Sequence, residues 1–239
     1  MSRRYRGFTL LECLLASSLM VAVLAAALEI SQASRKLFSR LKESQEFNHE
    51  IWAGLDRIRR DLNQAGYGLQ ECLLLGLLSG VQNEPSGLAI FTKEASFQLS
   101  ADLEAGSLIV PLPSSDLVSR GQIVAFVGEG KGEIAVAERV EKNRVVLNKP
   151  LHNDYYESSD QIIIIEKILY YLDQASQVLR RKVNLSPAQP LMEQVISFDW
   201  HIESLGLARV SLTFGGEKET VHEIKVATKN ILLAQQFLP

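Results

Sequence analysis

Glu12 is the only charged residue between Phe8 and Leu28. A run of ~21 residues at 1.5 Å rise makes a helix of about 31 Å, the thickness of a bilayer's hydrocarbon core, so this segment can span a membrane. A carboxylate inside such a helix costs about 2.5–3.5 kcal/mol on insertion scales unless something compensates it, so Glu12 requires a partner. Arg3, Arg4 and Arg6 precede the run with no acidic residue among them. The positive-inside bias then holds the N-terminus in the cytoplasm and predicts that residues from about 30 onward are extracytoplasmic.

Other residues capable of chemistry lack the spacing that chemistry needs. His49, His152, His201 and His222 are scattered without paired spacing, which argues against zinc. There is no G-x-S-x-G elbow and no Cys/His nucleophile pattern, so no catalytic residues are expected and the chain does not read as an enzyme. Gly128-Glu129-Gly130-Lys131-Gly132 is followed by Glu133 rather than the Ser/Thr and helix of a phosphate loop, so it predicts a hairpin turn. His152, Asp154, Glu157 and Asp160 offer oxygen ligands on a polar loop, but the alternate-residue spacing of a calcium loop is missing, which leaves a solvated loop as the expectation and no metal or cofactor assigned. Arg180, Arg181 and Lys182 alternate faces if they lie in a strand, so at most Arg180 and Lys182 cooperate, as a solvated face rather than a nucleic-acid site.

Composition sets the class. With 239 residues, 22% charged and 46% apolar, the chain is long enough for one sizeable domain beyond the anchor and is not disordered. Its net charge of −3 becomes more negative by three if the leader arginines are removed, so no nucleic acid is expected as a partner. Cys13 lies in the apolar run and Cys72 far beyond it, so no disulfide joins them; Cys72 reads as a buried small apolar residue.

The elements that position these residues follow from periodicity. No Gly or Pro occurs between Phe8 and Ala53, so the helix is predicted to continue past the membrane. Leu37, Leu41, Ser44, Asn48, Ile51, Leu55, Ile58, Leu62 and Ala65 form a heptad seam, polar in its middle, that becomes strongly apolar from Ile51. That last part is predicted to dock on the domain, while residues 30–48 meet neighbours or solvent. Gly66-Tyr67-Gly68 supplies the stop. Residues 69–86 read as an irregular crossover. Strands are then predicted at 88–91, 107–110, 122–127, 133–141, 144–147, 162–172, 178–183, 195–203, 208–214 and 220–232, separated by turn signals. The fold class is α+β: a long N-terminal membrane-spanning helix and a mostly antiparallel β-sheet head. The expected division is 1–7 leader, 8–29 membrane half of the helix, 30–66 extracytoplasmic half and 67–239 head.

Gly7-Phe8-Thr9-Leu10-Leu11-Glu12 resembles the class III leader of type IV prepilins and type II secretion pseudopilins. Three later segments resemble PilW-like minor pilins: Arg59-Arg60-Asp61-Leu62-Asn63-Gln64-Ala65-Gly66-Tyr67, then Tyr170-Tyr171-Leu172 with Leu179-Arg180-Arg181, then Leu191-Met192-Glu193-Gln194-Val195 with Phe198. The resemblance implies a pilin-like fold, cleavage after Gly7 by a prepilin peptidase, N-methylation of Phe8, and an assembly role for Glu12 through pairing with a neighbour's Phe8 amine. It further implies a minor pilin in the inner membrane, with its head periplasmic, that helps start a type IV pilus and sits near its tip. Its partners would be other minor pilins, the major pilin and the inner-membrane assembly platform. The same leader serves J-type minor pseudopilins of type II secretion, and a DNA- or surface-binding subunit of an uptake or adhesion pilus is a further alternative. Many minor pilins carry a disulfide in the C-terminal region, which this chain's two cysteines do not permit.

An ordinary secretory signal, cleaved near Ala25–Ala27, or a twin-arginine signal built on Ser2-Arg3-Arg4 would also present a basic start and an apolar core. The length of the run, the carboxylate near its start and the Gly-Phe junction argue against both.

Overall fold

The computed structural model describes residues 9–203, 206–215 and 219–235. The chain combines one long N-terminal helix with antiparallel β-sheets, an α+β arrangement. It divides into two compact units, residues 1–52 and 53–239.

Helix α1 (Leu10–Gln64) supplies all of the described first unit except Thr9 and enters the second. It is long and apolar enough at its N-terminal end to cross a membrane. Leu10, Leu15, Leu19, Val23 and Leu28 are all more than half exposed, as are Leu37 and Leu41 of the predicted seam and the neighbouring Phe38. Burial sets in at Ile51.

In the second unit the end of α1 is pinned. Leu55, Ile58, Leu62 and Ala65 are buried, and Gly54 lets the helix approach strand β9 (Gln189–Met192): a Cβ there would lie 2.5 Å from the Met192 side chain. Gly66, at φ +72°, closes the helix in the left-handed region that glycine tolerates, and its N–H donates to the Phe91 carbonyl at 2.8 Å.

Among the described residues the main sheet has nine strands: β1 (Val81–Glu84), β2 (Gly87–Gln98), β3 (Ile109–Pro111), β4 (Ile123–Gly128), β5 (Lys131–Glu141), β6 (Arg144–Leu147), β7 (Gln161–Asp173), β8 (Val178–Val183) and β9. Its path is β1-β2-β7-β4-β5-β6-β3, and β8 pairs with β7 and β9. Strand β7 is the axis. One edge pairs with β2 along its length, while the other takes β4 at residues 161–165 and β8 at 168–173. Its Ile162-Ile163-Ile164-Ile165 run is buried on both faces, with Ile162 and Ile164 in one apolar cluster beside Phe126 and Ile163 and Ile165 in another beside Leu69 and Cys72. A second sheet orders β10 (Val195–Glu203), β11 (Leu207–Phe214) and β12 (Thr220–Ala227).

Three expectations are corrected. The predicted crossover at 69–86 contains a short helix, α2 (Gln70–Leu74), and strand β1; its Leu-rich composition has no period to reveal either. The predicted strand at 88–91 continues to Gln98 through a register shift between Lys93 and Ala95. The strand predicted to run to Leu232 ends at Ala227 and gives way to helix α3 (Lys229–Gln235). There the buried Thr228 turns the chain, its hydroxyl donating to the Gly206 carbonyl at 2.6 Å and its own carbonyl accepting from Ile231 and Leu232. The β4–β5 hairpin has the predicted turn, Glu129-Gly130, with Gly130 at φ +68°.

Candidate functional site

Gly7 and Phe8 lie outside the described residues. Glu12 is described, in the first turn of α1. Its Oε2 accepts the Thr9 N–H at 2.8 Å and the Thr9 hydroxyl at 3.0 Å, while Thr9 Oγ1 accepts the Glu12 N–H at 3.4 Å. Thr9 and Glu12 thus form a reciprocal capping box, in which a carboxylate three residues into a helix satisfies the cap residue's own N–H. Negative charge at a helix N-terminus is also favoured by the aligned peptide dipoles. Glu12 thus has a partner within its own chain, Thr9, and a T-x-x-E spacing is the sequence signal that reveals it. Around this box the apolar side chains of α1 point outward, a surface suited to lipid or to apolar neighbours.

A second polar centre binds α1 to the head and was not singled out from sequence. Asp61 is buried, and its Oδ2 accepts the Tyr170 hydroxyl at 2.6 Å and Arg181 Nε at 2.7 Å, with Arg57 Nε 3.5 Å from Oδ1. Burial and the adjacent Asp61 carboxylate push the Tyr170 phenol well above its ordinary value. Burial works against charge on Arg181, but the bond to Asp61 outweighs it and holds the guanidinium above its usual value. As the predicted alternation along β8 requires, the neighbours do not share a face: Arg180 pairs with Asp173 at 3.1 Å, whereas Arg181, 12% exposed, points inward. The segments 59–67 and 170–181, far apart in sequence, meet here. A carboxylate on the buried stripe of Ile58, Leu62 and Ala65 was the available clue, because a charge there requires a counter-charge.

The loop at 152–160 is held by cations and N–H donors. Asp160 is buried; its Oδ2 lies 3.1 Å from Lys131 Nζ and accepts the Tyr156 N–H at 2.9 Å, and its Oδ1 accepts the Ser159 hydroxyl at 2.8 Å. Lys131 also donates to the Asp154 carbonyl and sits 5.0 Å and 4.7 Å from the ring centres of Tyr155 and Tyr156. Burial pushes the Asp160 carboxyl up, but the Tyr156, Ser159 and Lys131 donors prevail and hold it below the ordinary carboxylate range. Glu133 accepts the N–H groups of His152 and Asn153 at 3.0 Å and 3.2 Å, and Asp154 accepts that of Ala105 at 2.7 Å. Among the described residues no three His, Cys, Asp or Glu side chains converge to hold a metal ion.

Cys72 is buried, as predicted, and burial together with Glu71 pushes its thiol up to about 12.

No protein-family profile matches this chain, nor does any curated protein sequence. Among solved structures, the tailspike of Acinetobacter baumannii bacteriophage AP22, in complex with capsular saccharide, is similar over 32% of this chain at 15% identity and a TM-score of 0.28. The tailspike protein of Pseudomonas phage LKA1 is similar over 29% of this chain at 18% identity and a TM-score of 0.26. This chain spans 15% and 14% of the length of those two proteins.

Proposed function

We propose that this chain is a prepilin-processed minor pilin with a pilin-like fold: a single-pass inner-membrane subunit cleaved after Gly7 and methylated on Phe8. Its extracytoplasmic head would join other minor pilins and the major pilin on an inner-membrane assembly platform to start a filament. The observation that carries this reading is the leader Arg6–Glu12 set directly before a helix that is apolar, exposed and long enough to cross a bilayer.

The capping box gives the mechanism its first step. Thr9 keeps the Glu12 carboxylate hydrogen-bonded while the subunit waits in lipid, which lowers the cost of storing a charge there. A methylated secondary amine stays cationic, so the Phe8 amine of a neighbour offers Glu12 a charge-assisted bond, stronger than the neutral donors of Thr9. Assembly is then an exchange of a weak partner for a strong one. The orientation is drawn from the resemblance of the leader motif and not from charge alone, because Arg35, Lys36, Arg40 and Lys42 follow the apolar run within about fifteen residues and offset the bias of Arg3, Arg4 and Arg6.

Intact mass and N-terminal sequencing of the chain purified from membranes test the reading. The expected result is a start at N-methylated Phe8, and an uncut mass for a Gly7→Val variant. A mature start near Leu28, or a soluble chain without its apolar run, overturns it.

A further inference from the structure

The glycine-spaced turn Gly128-Glu129-Gly130-Lys131-Gly132 has no part in the proposed function, yet with helix α2 it encloses a cavity of about 290 Å³. Leu74, Leu75 and the buried Val127 form the apolar side of this slot, and Glu71, Glu129 and Gln161 the polar side. Glycine shapes it: a Cβ at Gly132 would lie 2.8 Å from Leu75 Cδ1, so only a bare backbone lets that leucine seat against the hairpin. The charges of the slot are unbalanced. Glu71 Oε2 accepts the Gln161 amide, a neutral donor, at 2.6 Å, and the exposed Glu129 makes no ion pair among the described residues. Lys131, the cation of the turn, is engaged elsewhere, by Asp160 at 3.1 Å and by the Asp154 carbonyl.

We infer that this slot is a docking site for an arginine or lysine side chain presented by a partner protein. An anion would meet two carboxylates there. A metal ion needs more ligands than the slot offers, since no three His, Cys, Asp or Glu side chains converge among the described residues. A long basic side chain fits both halves: its methylene stem lies on Leu74, Leu75 and Val127, and its charged head reaches Glu71 and Glu129. Size agrees, because a cavity of about 290 Å³ stands at the small end of ligand pockets and suits one side chain rather than a cofactor. Leu74, 37% exposed at the rim, offers apolar contact to the residues flanking the docked one, which a free small cation would not use. The site belongs to the head alone and does not depend on the leader or on the filament reading.

Titration of the full chain in detergent micelles tests this, with its leucine and valine methyl groups isotope-labelled and followed by NMR. The probe is the peptide acetyl-leucyl-arginyl-leucine amide, and its citrulline counterpart keeps the shape without the charge. The methyl groups of Leu74, Leu75 and Val127 should shift saturably with the arginine peptide below about 10 mM, and the citrulline peptide should bind about fivefold more weakly or worse. Glu129→Gln, at the exposed hairpin tip, and Glu71→Gln should each weaken the arginine peptide about three- to fivefold, with the thermal melt of Glu129→Gln unchanged. Glu157→Gln, an exposed acid outside the slot, should leave binding as it was. Absence of a saturable shift, equal affinity for the citrulline peptide, or full binding by the doubly substituted chain overturns the inference. So does equal affinity for putrescine, which carries the charge without flanking residues and would assign the slot to a free diamine.

Discussion

Up to Trp52 the charges of α1 that flank the apolar run stand in solvent, whereas from Ala53 onward the head buries charges to fasten its elements: Asp61 against Arg181 and Tyr170, Asp160 against Lys131. The difference is one of dielectric. An exposed pair such as Lys42–Glu46 contributes at most about 1 kcal/mol and is weakened by salt, so it suits contacts that form and exchange. A buried carboxylate stripped of its partner is far more costly, so it suits contacts that hold a fold. One stretch therefore keeps its charges at the surface, and the other buries some of them to hold its own elements together.

Substitutions can break this contrast. The largest effect is expected at Asp61: Asp61→Ala leaves Arg181 and Tyr170 without their acceptor and should destabilise the head by about 3–5 kcal/mol in a denaturant or thermal melt. A loss under about 1 kcal/mol would show that the centre is not structural. Glu12→Val should do the reverse, leaving the head's melt unchanged while, under the proposed function, cutting incorporation into filaments about tenfold or more, given the ~2.5–3.5 kcal/mol at stake for the charge. Normal incorporation would remove charge pairing from the mechanism. Thr9→Val sharpens the comparison with a smaller change, because losing a cap costs about 1 kcal/mol of helix stability. It should weaken storage of the unassembled subunit, read as faster turnover in the membrane, more than it weakens assembly. Equal effects on both would show that Thr9 and Glu12 do not act as an exchangeable pair.

Acid should also separate the regions. Because the folded-state value of Asp160 is depressed below its unfolded value, the stability it contributes is complete above the ordinary aspartate range and disappears as pH falls through the lower folded value. The head should therefore lose stability on strong acidification, and Asp160→Asn should flatten that part of a stability–pH curve. An unchanged slope in the variant would remove Asp160 as its source.

How much of this was legible in sequence depended on whether a residue's environment repeats. Strands β6, β8 and β10 had the bounds that alternation and turn residues predicted, and the turn at Lys142-Asn143 was found where Asn143 takes φ +62°. Period fails where burial is two-sided or brief. Leu73-Leu74-Leu75 lies in or beside a five-residue helix too short to display 3.6 periodicity, and Pro190 masks β9 because proline argues against a strand unless it is an edge. Ile231-Leu232-Leu233 continues the apolar character of β12 and hides the turn at Thr228. The polar centres were harder still, since Asp61 and Arg181 are 120 residues apart and only the sheet brings them together. The Thr9–Glu12 box, by contrast, is local and was visible in principle.

Asn230, in the first turn of α3, donates its side-chain amide to the carbonyls of Asn63 and Ala65 at 3.4 Å and 3.2 Å, closing the end of the first helix with a residue from the last. In biosynthesis this means that α1 is finished by an element made some 165 residues later. A product interrupted before residue 230 would carry the long helix and most of the sheet yet leave those carbonyls without this donor.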